Sequence, residues 1–414
     1  MSAPWKDKKL VAAMACISVA ATCMIGGYEF VRSTAASMFL DAFGSRAMPY
    51  AMTVVPAAMF LLIYSYGRTL TRLGSLLTLQ ASLALSALTF LACYAALRAG
   101  FKPAVAVLYV FTEAYIVILV EQFWSFIDST LDPAGAKVFN GPICGGASIG
   151  PILAGLLVKS YARQIGSEQF VLLSALSLLP AAALSYAAYR LAGEPTPSER
   201  APHRGLDALS LRLVAHTRVL LLIGCVITLT QVFATVSSLR FYQILEAAIP
   251  LKDERSAYLG GFWGIKTNSL AMVLQFVITP LLLRRLPLKA VLVGMPALHI
   301  ATSLWLLASP SLASASLCLM LFKGIDYSVF RAAKETLYIP LSYDARYRAK
   351  QVVDAFNYRF SKGATAGLVS LVQTGLGALP GWAYPAAALA AAGSWLAAAF
   401  PLSAEAERSQ AGAL

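Results

Sequence analysis

A small set of ionisable side chains lies inside segments that are otherwise strongly apolar. These side chains are Glu29, Arg32, Glu113, Glu121, Arg240, Lys266, Lys323, Asp326, Arg359 and Lys362. A charge at the centre of a bilayer costs about 2.5–3.5 kcal/mol on insertion scales, so charged groups at that depth usually face a cavity or a partner. Basic residues outnumber acidic ones in this set. The pattern predicts a polar cavity that attracts an anionic or zwitterionic small molecule.

Four of the basic residues are candidates for binding that anion: Arg32, Lys266, Arg359 and Lys362. Arg359 and Lys362 are three residues apart in a predicted helix, so their side chains point in a similar direction. Arginine binds phosphate or carboxylate groups through a planar fork, whereas lysine supplies a point charge. The two residue types together fit an anionic substrate.

Two acids are candidates for coupling transport to a proton or another cation. Glu113 and Glu121 lie eight residues apart in one predicted span. That spacing places them on nearly the same helical face. Either carboxylate could carry a proton or meet a cation.

Some of the other charges have simpler explanations. Glu29 lies three residues before Arg32, close enough on a helix for the two side chains to pair with each other. Arg240 can extend its charged end to the membrane surface. Lys323 and Asp326 have the same spacing of three, which fits a structural pair and a functional pair equally well.

The composition is that of a polytopic membrane protein. The chain has 414 residues, of which 58% are apolar and 13% are charged, and its mean hydropathy is +0.69. Soluble domains carry about 25% charged residues. The apolar run near the N-terminus continues past the length of a signal peptide, so we interpret it as a retained first helix. Hydropathy predicts twelve spans, at 10–30, 47–66, 74–98, 103–127, 138–160, 169–191, 217–245, 258–283, 289–308, 311–330, 351–375 and 382–402.

Charge along the chain predicts its orientation. The net charge is +13, and most Lys and Arg residues fall on the side of the predicted spans that holds both termini. The positive-inside rule places that side, with both termini and the central polar segment, in the cytoplasm of a multi-pass membrane protein. There is no soluble domain to carry a nucleic-acid site, so we expect the lipid bilayer and a small molecule as partners, and no nucleic acid.

Metal, disulfide and enzyme chemistry are not indicated. The six cysteines all fall in apolar segments and the three histidines are scattered, without metal-ligand spacing. The sequence contains no P-loop and no H-E-x-x-H motif. We therefore expect no cofactor and no enzymatic activity.

The two halves of the chain have related patterns. A polar segment at 193–216 separates a predicted six-helix bundle at 1–192 from another at 217–414. The loop after the fourth span and the loop after the tenth each contain an Asp, then an Ala-Lys pair that enters a Gly-rich span. Weak symmetry of two six-span halves is typical of transporters whose substrate lies between the halves near the midplane. Chance similarity between Gly-rich helices is the alternative.

The segment from Leu321 to Gly363 is unusually rich in charge and carries a family resemblance. It contains Tyr327-Ser328-Val329-Phe330, Lys334-Glu335 and Tyr338-Ile339-Pro340-Leu341, followed by Lys350, Asp354, Arg359 and Lys362. This order resembles the segment after the tenth span in the ATP/ADP translocase family, the nucleotide transporters of plastids and obligate intracellular bacteria. The fourth span, with Glu113 and an Ala-Lys-x-Phe entry into the fifth, is similar to the same family. The resemblance implies exchange of nucleotides.

The sequence departs from that family at two charged positions. The family has Lys-Asp shortly after the arginine of the first span, where this chain has Ser33-Thr34-Ala35-Ala36 after Arg32. The family also has an acid in the seventh span, where this chain has Ser237, Ser238 and Arg240. These departures are consistent with a divergent bacterial branch within the major facilitator superfamily and with an anion other than ATP or ADP.

These observations predict an all-α membrane protein of twelve transmembrane helices in two pseudo-symmetric six-helix bundles. The predicted function is secondary active transport of an anionic small molecule, nucleotide-like or phosphorylated by resemblance, through alternating access. Arg331 and Lys334 lie at a helix–loop junction, where we expect them to form a cytoplasmic gate with Glu335 or Asp344. The alternatives are a proton-coupled permease for another organic solute, such as a siderophore, sugar or metabolite, and a membrane receptor that transports nothing.

Overall fold

A computed structural model describes residues 7–194, 217–338, 353–354 and 357–411. Within those ranges the chain is helical and contains no β-strand. The long helices are α1 (Lys8–Phe43), α2 (Met48–Arg98), α3 (Pro103–Thr130), α4 (Pro133–Ile165), α5 (Ser167–Ala192), α6 (Arg218–Ala248), α7 (Lys252–Arg285), α8 (Leu288–Ala308), α9 (Leu312–Tyr338), α10 (Asn357–Leu376) and α11 (Ala383–Ala411).

Ten helical segments in the described ranges are long and apolar enough to cross a membrane. One of them contains α2, which is 51 residues long and changes direction at Gly74, where φ is 78° and ψ is 179°. The two parts of α2 correspond to the second and third predicted spans. Helix α10 is not among the ten, but it coincides with the eleventh predicted span. The prediction of an all-α protein with many transmembrane helices is confirmed.

Wide π-helical turns interrupt two of the helices. In α7 they occupy Gly260–Thr267 and Leu274–Ile278, and in α9 Asp326–Phe330. A π-turn bonds residue i to residue i+5, and such turns are frequent at functional sites. Two of these three π-turns contain an ionisable residue that the sequence places inside an apolar span: Lys266 in the first and Asp326 in the third.

The described residues form two compact units. The first takes its residues from the ranges Met1–Gly44, Val54–Glu199 and Ile249–Ser269, and the second from Ser45–Thr53, Arg200–Ala248 and Leu270–Leu414. The start of α7 therefore packs with helices from the first half of the chain. Apart from Gly193 and Glu194, the predicted linker at 193–216 lies outside the described residues, and the boundaries at 192 and 217 stay a prediction.

Close contact between glycines holds the first unit together. A Cβ atom at Gly155 of α4 would lie 2.5 Å from both the Gly260 carbonyl oxygen and the Gly264 Cα of α7. Closer to the start of α4, the hydroxyl of Thr22 from α1 donates to the Gly146 carbonyl at 3.0 Å. Small residues allow helix backbones to approach in this way inside a membrane. The contact with α4 fixes the position of the first π-turn of α7.

Aromatic rings fill the centre of the second unit. His299 of α8 is fully buried, and its ring centroid lies 5.0 Å from that of Phe233, 5.3 Å from that of Phe322 and 5.5 Å from that of Trp395. These residues come from α6, α8, α9 and α11. The arrangement explains His299 as part of the packed core.

Glu194 stabilises the bend in α2. Its carboxylate accepts a hydrogen bond from the Ser75 hydroxyl at 2.9 Å and from the Leu76 N–H at 3.0 Å, directly after Gly74. The hydrogen bond from the Leu76 N–H is the main reason why the pKa of Glu194 is lowered below its ordinary value. A carboxyl group with a lowered pKa stabilises the fold above its unfolded-state pKa and loses that contribution as the pH falls through its folded-state pKa.

We expect Glu194→Ala to lower stability at neutral pH by about 0.5–1 kcal/mol, the lower part of the range for helix caps, because the side chain is exposed. The difference from wild type should shrink below about pH 4, near the ordinary pKa of glutamate. Thermal unfolding across pH checks this. Glu407→Ala, which removes an exposed glutamate on α11, is the control and should show no such pH dependence. A difference that persists unchanged into acid would contradict the capping role.

Candidate functional site

Arg32 lies against an aromatic ring from a distant part of the sequence. Its guanidinium carbon is 4.0 Å from the centroid of the Trp263 ring and 5.7 Å from that of Tyr28. Its Nη1 is 3.7 Å from Oε2 of Glu29, whose side chain is 1% exposed, whereas the Arg32 side chain is 16% exposed. A cation over a tryptophan ring is attracted by the negative face of the ring. The ring therefore stabilises the guanidinium at this position.

The first π-turn of α7 positions Trp263 and Lys266. Within it, the Thr267 hydroxyl donates to the Phe262 carbonyl at 2.8 Å, and the Asn268 amide donates to the Trp263 carbonyl at 2.9 Å. These side chains satisfy carbonyls that the wide turn exposes. Trp263 is buried, whereas Lys266, three residues later, is exposed. The first unit thus combines one oriented guanidinium, one indole ring and one accessible ammonium group.

The two candidate coupling acids both lie on α3 in the first unit. Glu113 is half-buried and Glu121 is exposed. Between them, Tyr115 and Ile118 line a cavity of about 110 Å³ whose other walls include Tyr66 and Ser82 of α2. Gln122, next to Glu121, donates a hydrogen bond to the Ser82 hydroxyl at 3.0 Å. This geometry shows where the acids lie, and their coupling role stays a prediction.

The other two candidate substrate residues lie in the second unit. Arg359 and Lys362 are both half-buried on α10. The side-chain amide of Asn357, the first residue of that helix, donates from Nδ2 to the Gly224 carbonyl of α6 at 2.7 Å, and its Oδ1 accepts from the Ser361 hydroxyl at 3.1 Å. These bonds fix the start of α10, which sets the direction of Arg359 and Lys362.

An acidic and tyrosine-rich cluster surrounds the predicted cytoplasmic gate. Lys334 forms an ion pair with Asp354 at 2.8 Å, and the Tyr338 hydroxyl donates to the same carboxylate at 2.8 Å. Asp326 is buried and accepts from the Tyr358 hydroxyl at 3.3 Å. Asp354 is thus a partner of Lys334 that the sequence did not single out for the gate.

The remaining predicted gate residues have different surroundings. Arg331 is exposed and Glu335 is half-buried, both on the last two turns of α9. Asp344 lies outside the described residues. The grouping of these residues with Lys334 into one gate stays a prediction.

A second charged network, which we call the α7 entry network, joins the start of α7 to α1 and α5. It consists of Ser37, Asp41, Ser167, Glu168, Lys252, Asp253 and Arg255. Lys252 contacts Glu168 at 2.5 Å, and buried Arg255 contacts Asp41 at 3.2 Å. The Ser167 N–H donates to Asp253 at 2.9 Å, and the Ser37 hydroxyl donates to the Lys252 carbonyl at 2.6 Å.

The sequence interpretation missed the α7 entry network. Its partners lie far apart in the chain, so no local spacing indicates them. One signal was present: Lys252 and Arg255 fall on the side of the predicted spans that carries few basic residues. Basic residues that depart from the positive-inside bias are the ones to examine for specific acidic partners.

We expect Asp253→Ala to reduce stability by about 1–3 kcal/mol, because it leaves the N–H of fully buried Ser167 without its acceptor. Glu254→Ala is the matched control, since that side chain is the next acid on the same helix and is only half-buried. Thermal unfolding of the purified protein in detergent measures both. Equal effects of the two variants would contradict a specific role for Asp253.

Comparison with solved structures identifies the fold. The chain resembles a bacterial homologue of the iron transporter ferroportin in an inward-facing state, with a TM-score of 0.70, 14% identity, and coverage of 95% of this chain and 99% of that one. It also resembles the peptide transporter PepTSo of the POT family (TM-score 0.64, 13% identity, 96% and 98% covered) and the nucleoside transporter NupG (TM-score 0.62, 13% identity, 95% and 98% covered).

The fold is that of major-facilitator-type transporters. No protein-family model and no curated protein matches the chain by sequence. These three structures are 13–14% identical to this chain, so they show its architecture alone. Within the described ranges, no group of three or more His, Cys, Asp and Glu side chains is placed to hold a metal ion.

Proposed function

We propose that this protein is a secondary active transporter that moves an anionic small molecule across a membrane by alternating access. The observation that carries the proposal is the Arg32 guanidinium over the Trp263 ring, with its carbon 4.0 Å from the ring centroid and with the exposed Lys266 on the same π-turn as Trp263. Basic side chains at membrane depth normally serve a substrate or ion pathway. The shared fold with peptide, nucleoside and metal transporters supports transport in general.

The stacked guanidinium is suited to a planar or tetrahedral acid group. A guanidinium binds two oxygens of one carboxylate or phosphate through its planar fork of N–H groups. Lys266 adds a second positive charge that is accessible. We propose Arg359 and Lys362 as further substrate residues, and Glu113 or Glu121 as coupling acids. A nucleotide-like or phosphorylated substrate is the class that the resemblance to the ATP/ADP translocase family supports.

Two networks are proposed as gates. The α7 entry network would open when the start of α7 separates from α1 and α5, and its ion pairs would re-form when it closes. Lys334, with Asp354 as its observed partner, would serve the cytoplasmic side together with Arg331, Glu335 and Asp344. Such transporters expose a central site alternately to each side by rocking of their halves. A bacterial inner membrane with both termini in the cytoplasm is the proposed location.

Uptake into proteoliposomes tests the proposed function. Purified full-length protein is reconstituted, and radiolabelled ADP, ATP, inorganic phosphate and citrate are presented with and without the same compound inside and with and without a pH gradient. Uptake that requires ATP or ADP on the far side supports nucleotide exchange. Uptake driven only by a pH gradient supports a proton-coupled permease instead. If no solute moves, including neutral sugars and siderophores, the proposal fails in favour of a receptor.

A further inference from the structure

Arg240 has no acidic partner among the described residues, although it lies in a membrane-spanning helix. It belongs to α6 and is half-buried. Its Nη1 donates to Oε1 of Gln243 at 3.2 Å, and its Nε is buried and has no hydrogen-bond partner. A partly buried positive charge is costly unless an opposite charge or hydrogen bonds offset the loss of water. The neutral side chain of Gln243 satisfies one N–H group and leaves the charge uncompensated.

The helices around Arg240 hold few acids. In α6 the one acidic residue is Glu246, whose carboxylate accepts from the Ser45 N–H at 2.9 Å. Helix α10 contains no Asp or Glu. The acids of α11 lie in its last two turns, about 30 Å from its first residue. An anion that neutralises Arg240 would therefore come from outside this part of the chain.

Neighbouring groups hold the guanidinium of Arg240 in place. It lies against Gly381, in the turn between α10 and α11, where a Cβ atom would be 2.5 Å from Nη1 and 2.8 Å from Nη2. Gln243, which accepts from Nη1, also contacts the hydroxyl of Tyr384 in α11. That hydroxyl accepts from Nε2 of Gln373 in α10 at 3.0 Å. The guanidinium is thus part of a polar group that three helices build.

This polar group has the composition of an anion site. We call it the Arg240 cluster; it consists of Arg240, Gln243, Gln373, Gly381 and Tyr384. It contains one guanidinium, two amides and one phenol, and no carboxylate. Because Oε1 of Gln243 accepts from Arg240, the other atom of that amide is an NH₂ group, which donates. Arginine binds phosphate through its planar fork of N–H groups. A positive charge among neutral donors fits a phosphate group.

Two sources of a phosphate group fit the surroundings of the Arg240 cluster. Leu376, at the end of α10, and Trp382, next to Gly381, are large apolar side chains that are exposed. Tryptophan is enriched at the membrane–water interface, at the level of the lipid headgroups. A phosphate at this level belongs to a phospholipid headgroup, or it is free in the adjoining solution. Both sources present the same oxygens to the guanidinium.

We propose that the Arg240 cluster is a binding site for a phosphate group, carried by a phospholipid headgroup or free in solution. The cluster lies in the second unit, whereas Arg32 and Lys266 lie in the first. On α10, Gln373 of the cluster is about 16 Å from Lys362 along the helix. The site is thus separate from the proposed substrate residues and does not rest on the proposed function. A bound phosphate group would join α6 to the turn between α10 and α11.

Thermal unfolding of the purified, delipidated full-length protein in detergent tests free phosphate. Sodium phosphate is titrated, with sodium chloride at equal ionic strength as the reference. A ligand that binds the folded state raises the melting temperature in a saturable way. We expect the half-saturating phosphate concentration to be about tenfold higher or more in Arg240→Gln, because a hydrogen-bonded charge is lost. Arg218→Gln, which removes an exposed arginine from the start of the same helix, is the matched control and should respond like wild type.

Native mass spectrometry with phosphatidylglycerol tests the lipid source. Wild type and Arg218→Gln should each retain one more lipid molecule than Arg240→Gln if a headgroup occupies the site. Dependence on Arg240 in the phosphate titration identifies free phosphate as the ligand, and dependence in the lipid measurement identifies a headgroup. A response that chloride reproduces is not phosphate binding. If neither phosphate nor phosphatidylglycerol binds in a way that depends on Arg240, the proposal is overturned.

A second variant guards against misfolding of Arg240→Gln. In Gly381→Ala, the three atoms nearest the new Cβ all belong to the Arg240 guanidinium, so the flexible side chain moves while the backbone stays in place. This variant should fold and bind the same ligand more weakly than wild type. Gly375→Ala is the matched control, because a Cβ there has no neighbouring atom within 4 Å. Size-exclusion profiles establish that each variant is folded. Unchanged binding by folded Gly381→Ala contradicts the placement of the phosphate group at this guanidinium.

Discussion

Replacing Arg32 by alanine should reduce uptake of the transported anion by about 10–150-fold or more. A hydrogen bond to a charged group contributes about 1.5–3 kcal/mol, which corresponds to that range in affinity, and a bidentate pair contributes more. The substitution also leaves Glu29 buried without its counter-charge. Uptake into proteoliposomes, measured with whichever of ADP, ATP, inorganic phosphate or citrate the wild type transports, gives the result.

Two further variants make the Arg32 experiment specific. Arg32→Lys keeps the charge but loses the planar fork and much of the stacking on Trp263, so we expect an intermediate rate. Arg408→Ala is the matched control, because Arg408 also pairs with a glutamate three residues away, Glu405, but is 72% exposed at the end of α11. It should transport like wild type. Normal uptake by folded Arg32→Ala would show that Arg32 does not bind the substrate.

Replacing Gly155 by valine should destabilise the protein by about 3 kcal/mol or more. Even the Cβ atom alone would lie 2.5 Å from backbone atoms of Gly260 and Gly264, which a change of rotamer cannot relieve. Overpacking in well-packed interiors typically costs about 1–3 kcal/mol, and contact between two backbones belongs at the upper end of that range or beyond it. Yield of folded protein and melting temperature in detergent measure the effect.

Gly145 provides the matched control for Gly155. It lies on the same helix, α4, and a Cβ at Gly145 would have no neighbouring atom within 4 Å. Gly145→Ala should therefore be neutral or slightly stabilising, since alanine favours a helix over glycine. Gly264→Ala should behave like the Gly155 variant, because its Cβ would lie 2.7 Å from the Pro151 carbonyl. If substitutions at Gly155 and Gly145 have equal effects, the contact with α7 is not what requires glycine.

The helices were predictable because their signal is local. Apolar runs long enough to cross a bilayer indicate each span, and the structure places a helix at each of them. The turn between the second and third spans was placed at the right position, although the structure continues there as one bent helix with Gly74 at the bend. Length and hydropathy do not distinguish a loop from a bend.

The candidate site was predictable only in part. Arg32 and Lys266 were recognised as charges at membrane depth, but nothing near Arg32 in the sequence indicates Trp263 as its neighbour. That contact depends on the packing of α4 against α7 and on a π-turn, and neither changes the hydropathy. The α7 entry network was not predicted either, because its partners are distant in the sequence: Asp41 and Arg255 belong to different halves of the chain.

The resemblance to the ATP/ADP translocase family rests mainly on the segment from Tyr327 to Lys362. Of that segment, residues 339–352 and 355–356 lie outside the described residues. In the described part of the segment, Lys334 forms an ion pair with Asp354, which belongs to the same motif. The substrate nevertheless depends on residues elsewhere, in particular Arg32 and Trp263, so the motif and the substrate site are tested by different experiments.

The π-turn at Gly260–Thr267 also changes how α7 is to be compared with other helices. A wide turn of this kind accommodates an additional residue relative to an α-helix. Because an α-helix advances 3.6 residues per turn, one extra residue rotates everything that follows by about 100°. Aligning α7 with a regular transmembrane helix therefore requires a gap at each of its two π-turns, the first of which is Gly260–Thr267. Without the first of these gaps, Lys266 would be matched to a position on the wrong face.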